Sequence, residues 1–311
     1  MTATTSAYIE AHRTGLLDER IAAAESRLNG CTLCPRACGV DRTAGETGVC
    51  RTGAEAWVSS YGPHFGEEAP LTGTRGSGTI FFTHCNLLCL FCQNYDISHG
   101  GEGEPVDVRG LARIMLLLEE RGCHNINLVT PSHVVPQILA ALKPAVEGGL
   151  SVPLVFNSSG YDSVETLALL DGIIDIYMPD FKFWDADLAE EACGAGDYPD
   201  VARKALIEMH RQVGDLVIDD SGIARRGLLV RHLVLPRGMA GTGEIMRFIA
   251  EKISRNTYVN IMPQYHPCGR AAEIDGLGGF PSRGDFEAAL KAARDAGITR
   301  LDEPRRIFMM A

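Results

Sequence analysis

The sequence predicts an α/β fold: a parallel sheet arranged as a partial barrel of six β-then-α units, with a small cysteine-rich extension at the N-terminus. Two observations support this prediction. Short β-rich runs alternate with helical periods from residue 79 onward, in too few units for a barrel of eight. Seven of the ten cysteines fall in two clusters before residue 93. Catalytic groups are then expected at the carboxyl ends of the strands, around an open cavity.

The predicted elements follow in chain order. The first 30 residues indicate one helix, and residues 54–77 indicate a glycine-rich loop that is a candidate lid. Strands are predicted at residues 79–83, 127–130, 154–157, 173–178, 228–235, 258–262 and, as an edge strand, 306–309. Helical periods separate them, one opened by a capping box from Asp162 to Glu165 and the last running over residues 282–297. The predicted domains are the extension, residues 1–77, and the partial barrel, residues 78–311.

Composition and charge narrow the classes of function. A net charge of −11 argues against a nucleic-acid partner, which would favour a basic face. No apolar run approaches the ~20 residues of a membrane span, and the N-terminal segment lacks the apolar core of a signal peptide. We therefore expect a cytoplasmic protein without a membrane partner. In a reducing compartment, clustered cysteines indicate metal binding rather than disulfides.

The first candidate site is the C-x3-C-x2-C motif of Cys85, Cys89 and Cys92, directly after the first predicted strand. Three thiolates on one loop can hold three irons of a [4Fe–4S] cluster. The fourth iron then lacks a protein ligand, which leaves it open to chelation by the amino and carboxylate groups of S-adenosylmethionine (SAM). The alternatives are a zinc site, which prefers a fourth ligand that this loop does not offer, or three buried free cysteines.

The stretch from Cys85 to Ser98 resembles the radical SAM superfamily and, within it, pyruvate formate-lyase activating enzymes and their PflX-type relatives. The resemblance covers about residues 78–270. It implies a TIM-like partial (β/α)6 barrel of the radical SAM type, in which Phe91 packs on the adenine side of SAM. It also implies reductive cleavage of SAM to a 5′-deoxyadenosyl radical, with an electron donor such as flavodoxin or ferredoxin. The radical would abstract hydrogen from a glycyl-radical enzyme or another protein.

The remaining matches to this family follow the later strands: Asn157, Ser158, Asp180, Lys182, Arg231 and His266. The resemblance implies that all of them lie near SAM, with a monovalent cation close to Asp180 and the SAM carboxylate. Taken singly, each has a simpler interpretation. Asp180 and Lys182 could form an ion pair, Arg231 could be a surface cation and His266 a structural histidine.

One departure from the family concerns the amino group of SAM. The Gly-Gly-Glu stretch that recognises this group is absent, and residues 129–133 stand in its place. Thr130 or Ser132 could accept hydrogen bonds from an ammonium group. Alternatively, Pro131 merely ends the strand.

The N-terminal cysteine cluster consists of Cys31, Cys34, Cys38 and Cys50, spaced C-x2-C-x3-C-x11-C. Four thiolates at this spacing satisfy either tetrahedral zinc or a fully ligated Fe–S cluster, so the metal stays open. The alternative is a reduced, metal-free set of buried residues. A structural role is favoured, because activating enzymes with additional clusters usually place them after the SAM motif. Cys268 could donate a hydrogen atom or ligate a metal, although packing is the simpler interpretation.

Three functions therefore follow from the sequence. The leading one is a radical SAM enzyme that abstracts hydrogen from a protein or peptide. The second is radical modification of a small molecule. The third is a non-catalytic Fe–S or zinc scaffold, which the four charged matches argue against because a scaffold needs only the cysteines.

Overall fold

The computed structural model describes residues 5–302, and the edge strand predicted at residues 306–309 lies outside them. The described chain is a mixed α/β fold around one central sheet. Its strands are β1 (Ala56–His64), β2 (Ser77–Phe82), β3 (Glu104–Val106), β4 (Ile126–Val129), β5 (Leu154–Asn157), β6 (Ile176–Tyr177), β7 (Val217–Ile218), β8 (Ala224–Leu233) and β9 (Tyr258–Met262).

The helices lie mostly between these strands. They are α1 (Ala7–Thr14), α2 (Leu16–Glu25), α3 (Ala69–Thr72), α4 (Tyr95–Ser98), α5 (Val108–Glu120), α6 (Val135–Glu147), α7 (Val164–Leu170), α8 (Ala186–Cys193), α9 (Tyr198–Val213), α10 (Thr242–Phe248) and α11 (Arg283–Asp295). None of the helices within residues 5–302 has both the length and the apolar character that crossing a bilayer requires.

Two local predictions about helices were wrong. The N-terminal segment forms two helices rather than one, because Gly15 adopts a left-handed conformation with φ 85° between α1 and α2. Helix α7 is capped by Ser163, whose side chain accepts a hydrogen bond from the Thr166 amide, so the capping box from Asp162 does not form. Asp162 instead accepts a hydrogen bond from the Ser158 hydroxyl at 2.6 Å.

The predicted parallel sheet of six β-then-α units is confirmed. Strands β2, β4, β5, β6, β8 and β9 pair in chain order, and every one of these pairings is parallel. These strands are largely apolar because both faces of the sheet are covered. Helices pack on one face in the main core, and a second buried cluster lies on the other. The carboxyl ends of all six strands therefore meet at one edge of the sheet.

Residues 54–77 do not form the predicted loop. β1 pairs antiparallel with β2, and β3 pairs antiparallel with β1, so this segment extends the sheet at the first parallel strand. Its burial alternates only over the first residues of β1, and Gly62 and Pro63 interrupt the β pattern near the end. The sequence pattern of this strand was therefore too weak to predict it.

One part of this segment, α3, lies inside the fold, and the lid prediction for the segment as a whole stays a prediction. Phe156 packs with the helices in the main core, while Val155, one residue earlier, faces the other side of β5. There Val155 joins a second buried cluster with Met178 and Leu229, and Leu71 from α3 packs into that cluster with no exposed surface. Helix α3 thus covers the inner face of the sheet, while residues just before it line a cavity at the strand ends.

Candidate metal and cofactor site

One cavity of about 380 Å³ lies at the carboxyl ends of the six parallel strands. The loop after β2 contributes the triad, and the ends of β5, β6 and β8 contribute polar side chains. The residues that matter most along its wall are Cys85, Cys89, Cys92, Asn157, Asp180 and Arg231. The structure therefore brings together the two groups of residues that the sequence predicted to share a site.

The triad loop, residues 83–92, follows β2 in a strained conformation. His84 and Leu88 both have positive φ, at 71° and 58°, which residues with a side chain rarely adopt. Such strain persists only where surrounding contacts impose it, and it is concentrated at functional sites. One of these contacts is the amide of Leu90, which donates to the Ala192 carbonyl at 2.9 Å.

The three thiols of the triad are held in their neutral form. Burial raises the pKa of Cys85 to about 12 and also raises the pKa of Cys92. A hydrogen bond with Cys193, together with burial, raises the pKa of Cys89 well above its usual range. A metal bound here would have to displace protons, so its uptake depends on pH.

The chemistry of this donor set fits an Fe–S cluster. The loop presents three sulfur ligands to one cavity, and thiolate is the usual protein ligand of such clusters. Within residues 5–302, no group of three or more His, Cys, Asp or Glu side chains stands in a metal-binding arrangement. Cys85, Cys89 and Cys92 are the residues that would hold the cluster.

A polar layer, formed by Asn157, Asp180, Lys182 and Arg231, makes another wall of this cavity. Arg231 donates to Asp180 at 2.8 Å and to the side-chain oxygen of Asn157 at 2.7 Å. Lys182 donates to the other oxygen of Asp180 at 2.5 Å. Backbone pairing continues past the strand ends, since Arg231 and Asp180 form a parallel bridge. The layer is therefore fixed by the sheet itself.

Asp180 is ionised in this layer. Burial alone would raise the pKa of its carboxyl group, but Arg231 and Lys182 outweigh burial and lower it. Both of its oxygens accept hydrogen bonds from side-chain cations. These two cations occupy the immediate surroundings in which the sequence reasoning expected a monovalent metal.

Two acidic residues at this site were missed from the sequence. A carboxylate oxygen of Glu67 lies 3.6 Å from a guanidinium nitrogen of Arg231. The neighbouring Glu68 is only 4% exposed. Asn260 donates to one oxygen of Glu68 at 2.8 Å, while the other accepts no hydrogen bond from the described residues. Burial raises the pKa of Glu68, and Arg231 partly offsets this. Both residues lie in the segment interpreted as a lid, and no local pattern places that segment beneath Arg231.

Comparison with known proteins gives a family for the chain. No family model matches it. It is 31% identical over 293 residues to MJ0674 of Methanocaldococcus jannaschii, described as an uncharacterized protein, and the alignment covers 92% of this chain and 80% of MJ0674. The chain belongs to the MJ0674 family. Among solved structures it is similar to HydG, a maturase of the [FeFe]-hydrogenase, with a TM-score of 0.48 and 15% identity over 70% of this chain, and it spans about half, 49%, of the HydG chain.

The other residues predicted to contact SAM in this MJ0674-family chain differ in whether they line the cavity. Phe91 is buried and packs edge-on against Phe183 and Tyr265, with ring centroids 5.8 Å apart in both pairs. Ser158 lines the cavity, although its hydroxyl is already bonded to Asp162. His266 is exposed and is not part of the cavity wall, where the preceding Tyr265 stands instead.

The two candidates for the amino group of SAM also differ. Thr130 lines the cavity, at the end of β4. Ser132 is buried and is not among the lining residues. Only Thr130 is therefore placed where it could accept a hydrogen bond from a ligand in this MJ0674-family cavity.

The N-terminal cysteine cluster of the MJ0674-family chain surrounds a separate cavity of about 10 Å³. Burial, and to a lesser extent the other three cysteines, raise the pKa of Cys34 to about 12. Arg42 lines the same cavity and is 1% exposed, and its guanidinium lies 4.0 Å from the sulfur of Cys31. Sequence reasoning missed Arg42, because nothing in its spacing distinguishes a buried arginine from a surface one.

Two more cysteines lie against the triad loop. The thiol of Cys268 donates to the Phe91 carbonyl at 3.2 Å, and Cys193 is hydrogen-bonded with Cys89. In this MJ0674-family protein the triad is thus flanked by two thiols from distant parts of the chain.

Proposed function

We propose that this chain is a radical SAM enzyme that cleaves SAM reductively and abstracts hydrogen from a substrate. The observation that supports it most directly is the shared cavity, because the cysteine triad and the polar layer face the same space. Three thiols alone would suit a scaffold equally well. A layer of Asp180 with the half-buried Lys182 and Arg231 at the same cavity supplies binding groups for a charged ligand, which a scaffold does not need.

The residues of the polar layer have defined tasks in this proposal. The guanidinium of Arg231 and the ammonium of Lys182 bind the SAM carboxylate through charge-assisted hydrogen bonds. Asp180 orients both cations, since each donates to one of its oxygens. Phe91 supplies an apolar surface for the adenine. The walls of the cavity exclude water from the reacting atoms.

The redox chemistry belongs to the cofactors. When bound, the cluster would pass one electron from a flavodoxin or ferredoxin to SAM, which yields methionine and a 5′-deoxyadenosyl radical that takes a hydrogen atom from the substrate. The proposed substrate is a protein or peptide, such as a glycyl-radical enzyme. Radical modification of a small molecule is the alternative.

We also propose that the N-terminal cysteine cluster holds a structural metal, either zinc or a fully ligated Fe–S cluster. The cavity of about 10 Å³ has no room for a substrate beside the four thiols. Closed sites of this kind are typical of structural metals. The cluster would then stabilise the fold of the extension.

The test is SAM cleavage by anaerobically reconstituted protein with a chemical reductant. We expect 5′-deoxyadenosine to form, and a [4Fe–4S] EPR signal that changes when SAM is added. In the triple variant Cys85→Ala, Cys89→Ala and Cys92→Ala, both should fall to background. Cys123→Ala is the matched control, because this buried cysteine is not part of the cavity wall. A SAM-responsive signal that persists in the triple variant would contradict the assignment.

A further inference from the structure

The N-terminal cysteine cluster and the triad loop are joined directly by Arg36. This residue lies between two cysteines of the cluster, Cys34 and Cys38. Its guanidinium donates to the carbonyl of Asn86 at 3.0 Å and to the carbonyl of Leu87 at 3.1 Å. Both carbonyls belong to the three residues that separate the first two cysteines of the triad. One side chain thus connects two cysteine motifs that are about 50 residues apart.

The same guanidinium also links the triad loop to the end of helix α8 through hydrogen bonds. It donates to the Cys193 carbonyl at 2.7 Å and to the Gly194 carbonyl, at the carboxyl end of that helix. It also lies 5.3 Å from the centre of the Tyr161 ring. Four hydrogen bonds in two directions require the planar, forked donor set of arginine, which lysine cannot reproduce.

A second connection runs through Arg42 and His133. Arg42 donates to the His133 carbonyl at 2.8 Å. The imidazole of His133 in turn donates from Nε2 to the Thr83 carbonyl at 2.9 Å, since a carbonyl can only accept. Thr83 is the first residue of the triad loop. The cluster therefore also contacts the loop at the point where it leaves β2.

A third connection starts at Arg51, which directly follows Cys50 of the cluster. Arg51 donates to the His99 carbonyl at 3.0 Å, and the His99 imidazole donates to the Leu88 carbonyl at 3.3 Å. Both Arg51 and Leu88 have positive φ, 55° and 58°. Strained backbone thus occurs at both ends of this connection, where the surrounding contacts have to impose it.

We propose that the N-terminal cysteine cluster positions the triad loop, and that Arg36 is the principal positioning residue. Order in the cluster then favours the conformation in which the triad would meet its metal and SAM. The effect on the metal site rests on the proposed function. The hydrogen bonds between the cluster and the loop do not, because protein atoms alone make them. Loss of Arg36 would free the carbonyls of the loop without removing any cysteine.

Hydrogen exchange of the metal-free full-length protein tests the structural part. We expect amides of residues 86–92 to exchange about tenfold or more faster in Arg36→Met and in Arg36→Lys than in the wild type, while residues 154–157 keep their protection. Arg27→Met is the matched control. Arg27 also makes a long-range hydrogen bond, to Thr166 of helix α7, but it does not contact the triad loop. Wild-type exchange over residues 86–92 in both Arg36 variants would overturn the proposal.

A milder variant covers the case in which loss of Arg36 unfolds the chain. Arg51 is exposed and its connection runs through a single hydrogen bond to His99, so Arg51→Ala should keep the fold. We expect faster exchange over residues 86–92 in this variant, by a smaller factor than for Arg36→Lys. Unchanged exchange in Arg51→Ala, together with global unfolding of both Arg36 variants, would also overturn the proposal.

The consequence at the metal site is measured by EPR of reconstituted protein. We expect Arg36→Lys to keep iron at the triad but to show broadened or shifted g-values on addition of SAM, and SAM affinity several-fold below that of the wild type. A signal identical to the wild type would refute the positioning role. If wild-type protein shows no SAM response while exchange still depends on Arg36, the proposed function fails and the positioning of the loop stands.

Discussion

The two cysteine motifs of this chain differ most in the space that they enclose. The triad faces a cavity of about 380 Å³ with polar residues from three strands, whereas the N-terminal cluster surrounds about 10 Å³. Structural metal sites are closed by protein ligands, and catalytic ones keep a position open for substrate. The difference is what the proposed function requires, with chemistry at the triad and a supporting role for the N-terminal cluster.

The two sites also balance charge differently. At the triad, the half-buried cations Arg231 and Lys182 both contact the carboxylate of Asp180. At the N-terminal cluster, the described contacts of Arg42 are the carbonyls of Gly53 and His133 and the sulfur of Cys31. A buried cation is costly without a nearby negative charge. Metal-bound thiolates would supply that charge, which makes Arg42 a suitable neighbour for a four-thiolate centre.

The largest expected effect tests the supporting role. Cys34→Ala should lower the free energy of unfolding by about 5 kcal/mol, because binding of a structural metal contributes directly to folding. Metal content should fall, while some SAM cleavage remains. Chemical denaturation with metal analysis measures both, with Cys123→Ala as the control for loss of a buried thiol. Unchanged metal content and stability would leave these cysteines as ordinary packing residues.

The next effect concerns a buried histidine behind the polar layer. His232 donates from Nδ1 to the Phe181 carbonyl at 2.7 Å and lies 2.8 Å from the Thr242 hydroxyl. Burial lowers its pKa to about 4, from about 6.5 in an unfolded chain. Between these values the unfolded state binds the extra proton, so stability falls as the pH falls. This histidine should contribute a loss of about 3 kcal/mol from pH 6.5 to pH 4.

Denaturant unfolding at several pH values measures this loss. His232→Gln should flatten the dependence between pH 6.5 and pH 4, whatever its stability at neutral pH. His133, beside the N-terminal cluster, has its pKa lowered by burial to about 3 and contributes equally to both proteins. If the wild type and His232→Gln lose stability in parallel on acidification, His232 does not contribute to the pH dependence of stability.

The smallest effect concerns the open site itself. Asp180→Asn should weaken SAM binding about tenfold, ~1.4 kcal/mol, because the amide can no longer accept from both Arg231 and Lys182. Calorimetry of SAM binding, in sodium and in potassium, measures the affinity and its dependence on the cation. A cation dependence that the variant abolishes would support the proposed monovalent ion. Wild-type affinity in the variant would remove Asp180 from the SAM site.

The sequence predicted all six parallel strands, although β6 is shorter than predicted, Ile176–Tyr177 instead of residues 173–178. β5 and β9 occupy the predicted residues, Leu154–Asn157 and Tyr258–Met262, because a buried parallel strand is a short apolar run between turns. β1 was missed because Gly62 and Pro63 weaken its pattern and its pairing is supplied by β2 from outside the segment. Local patterns predict short uninterrupted apolar strands better than a long strand such as β1, whose second half is mostly exposed and carries Gly62 and Pro63.

The candidate site was predictable only in part, for a similar reason. Spacing alone indicated that Cys50 joins the three cysteines before it, and all four line one cavity. Contacts such as that of Arg36 with Asn86 arise from packing between segments about 50 residues apart. No periodicity records such a contact. The acidic pair at Glu67 and Glu68 was missed in the same way, since it depends on where α3 is inserted.

Helix α3 has one more consequence, for the kinetics of the reaction. Leu71 packs with Val155, Met178 and Leu229 on the inner face of the sheet, and none of these four residues is part of the cavity wall. Two ligands that use one entrance bind in order, the deeper one first, and the first to arrive leaves last. In the proposed function, SAM held against the triad and the polar layer would bind before the substrate, and steady-state kinetics would then show compulsory-order binding with SAM first.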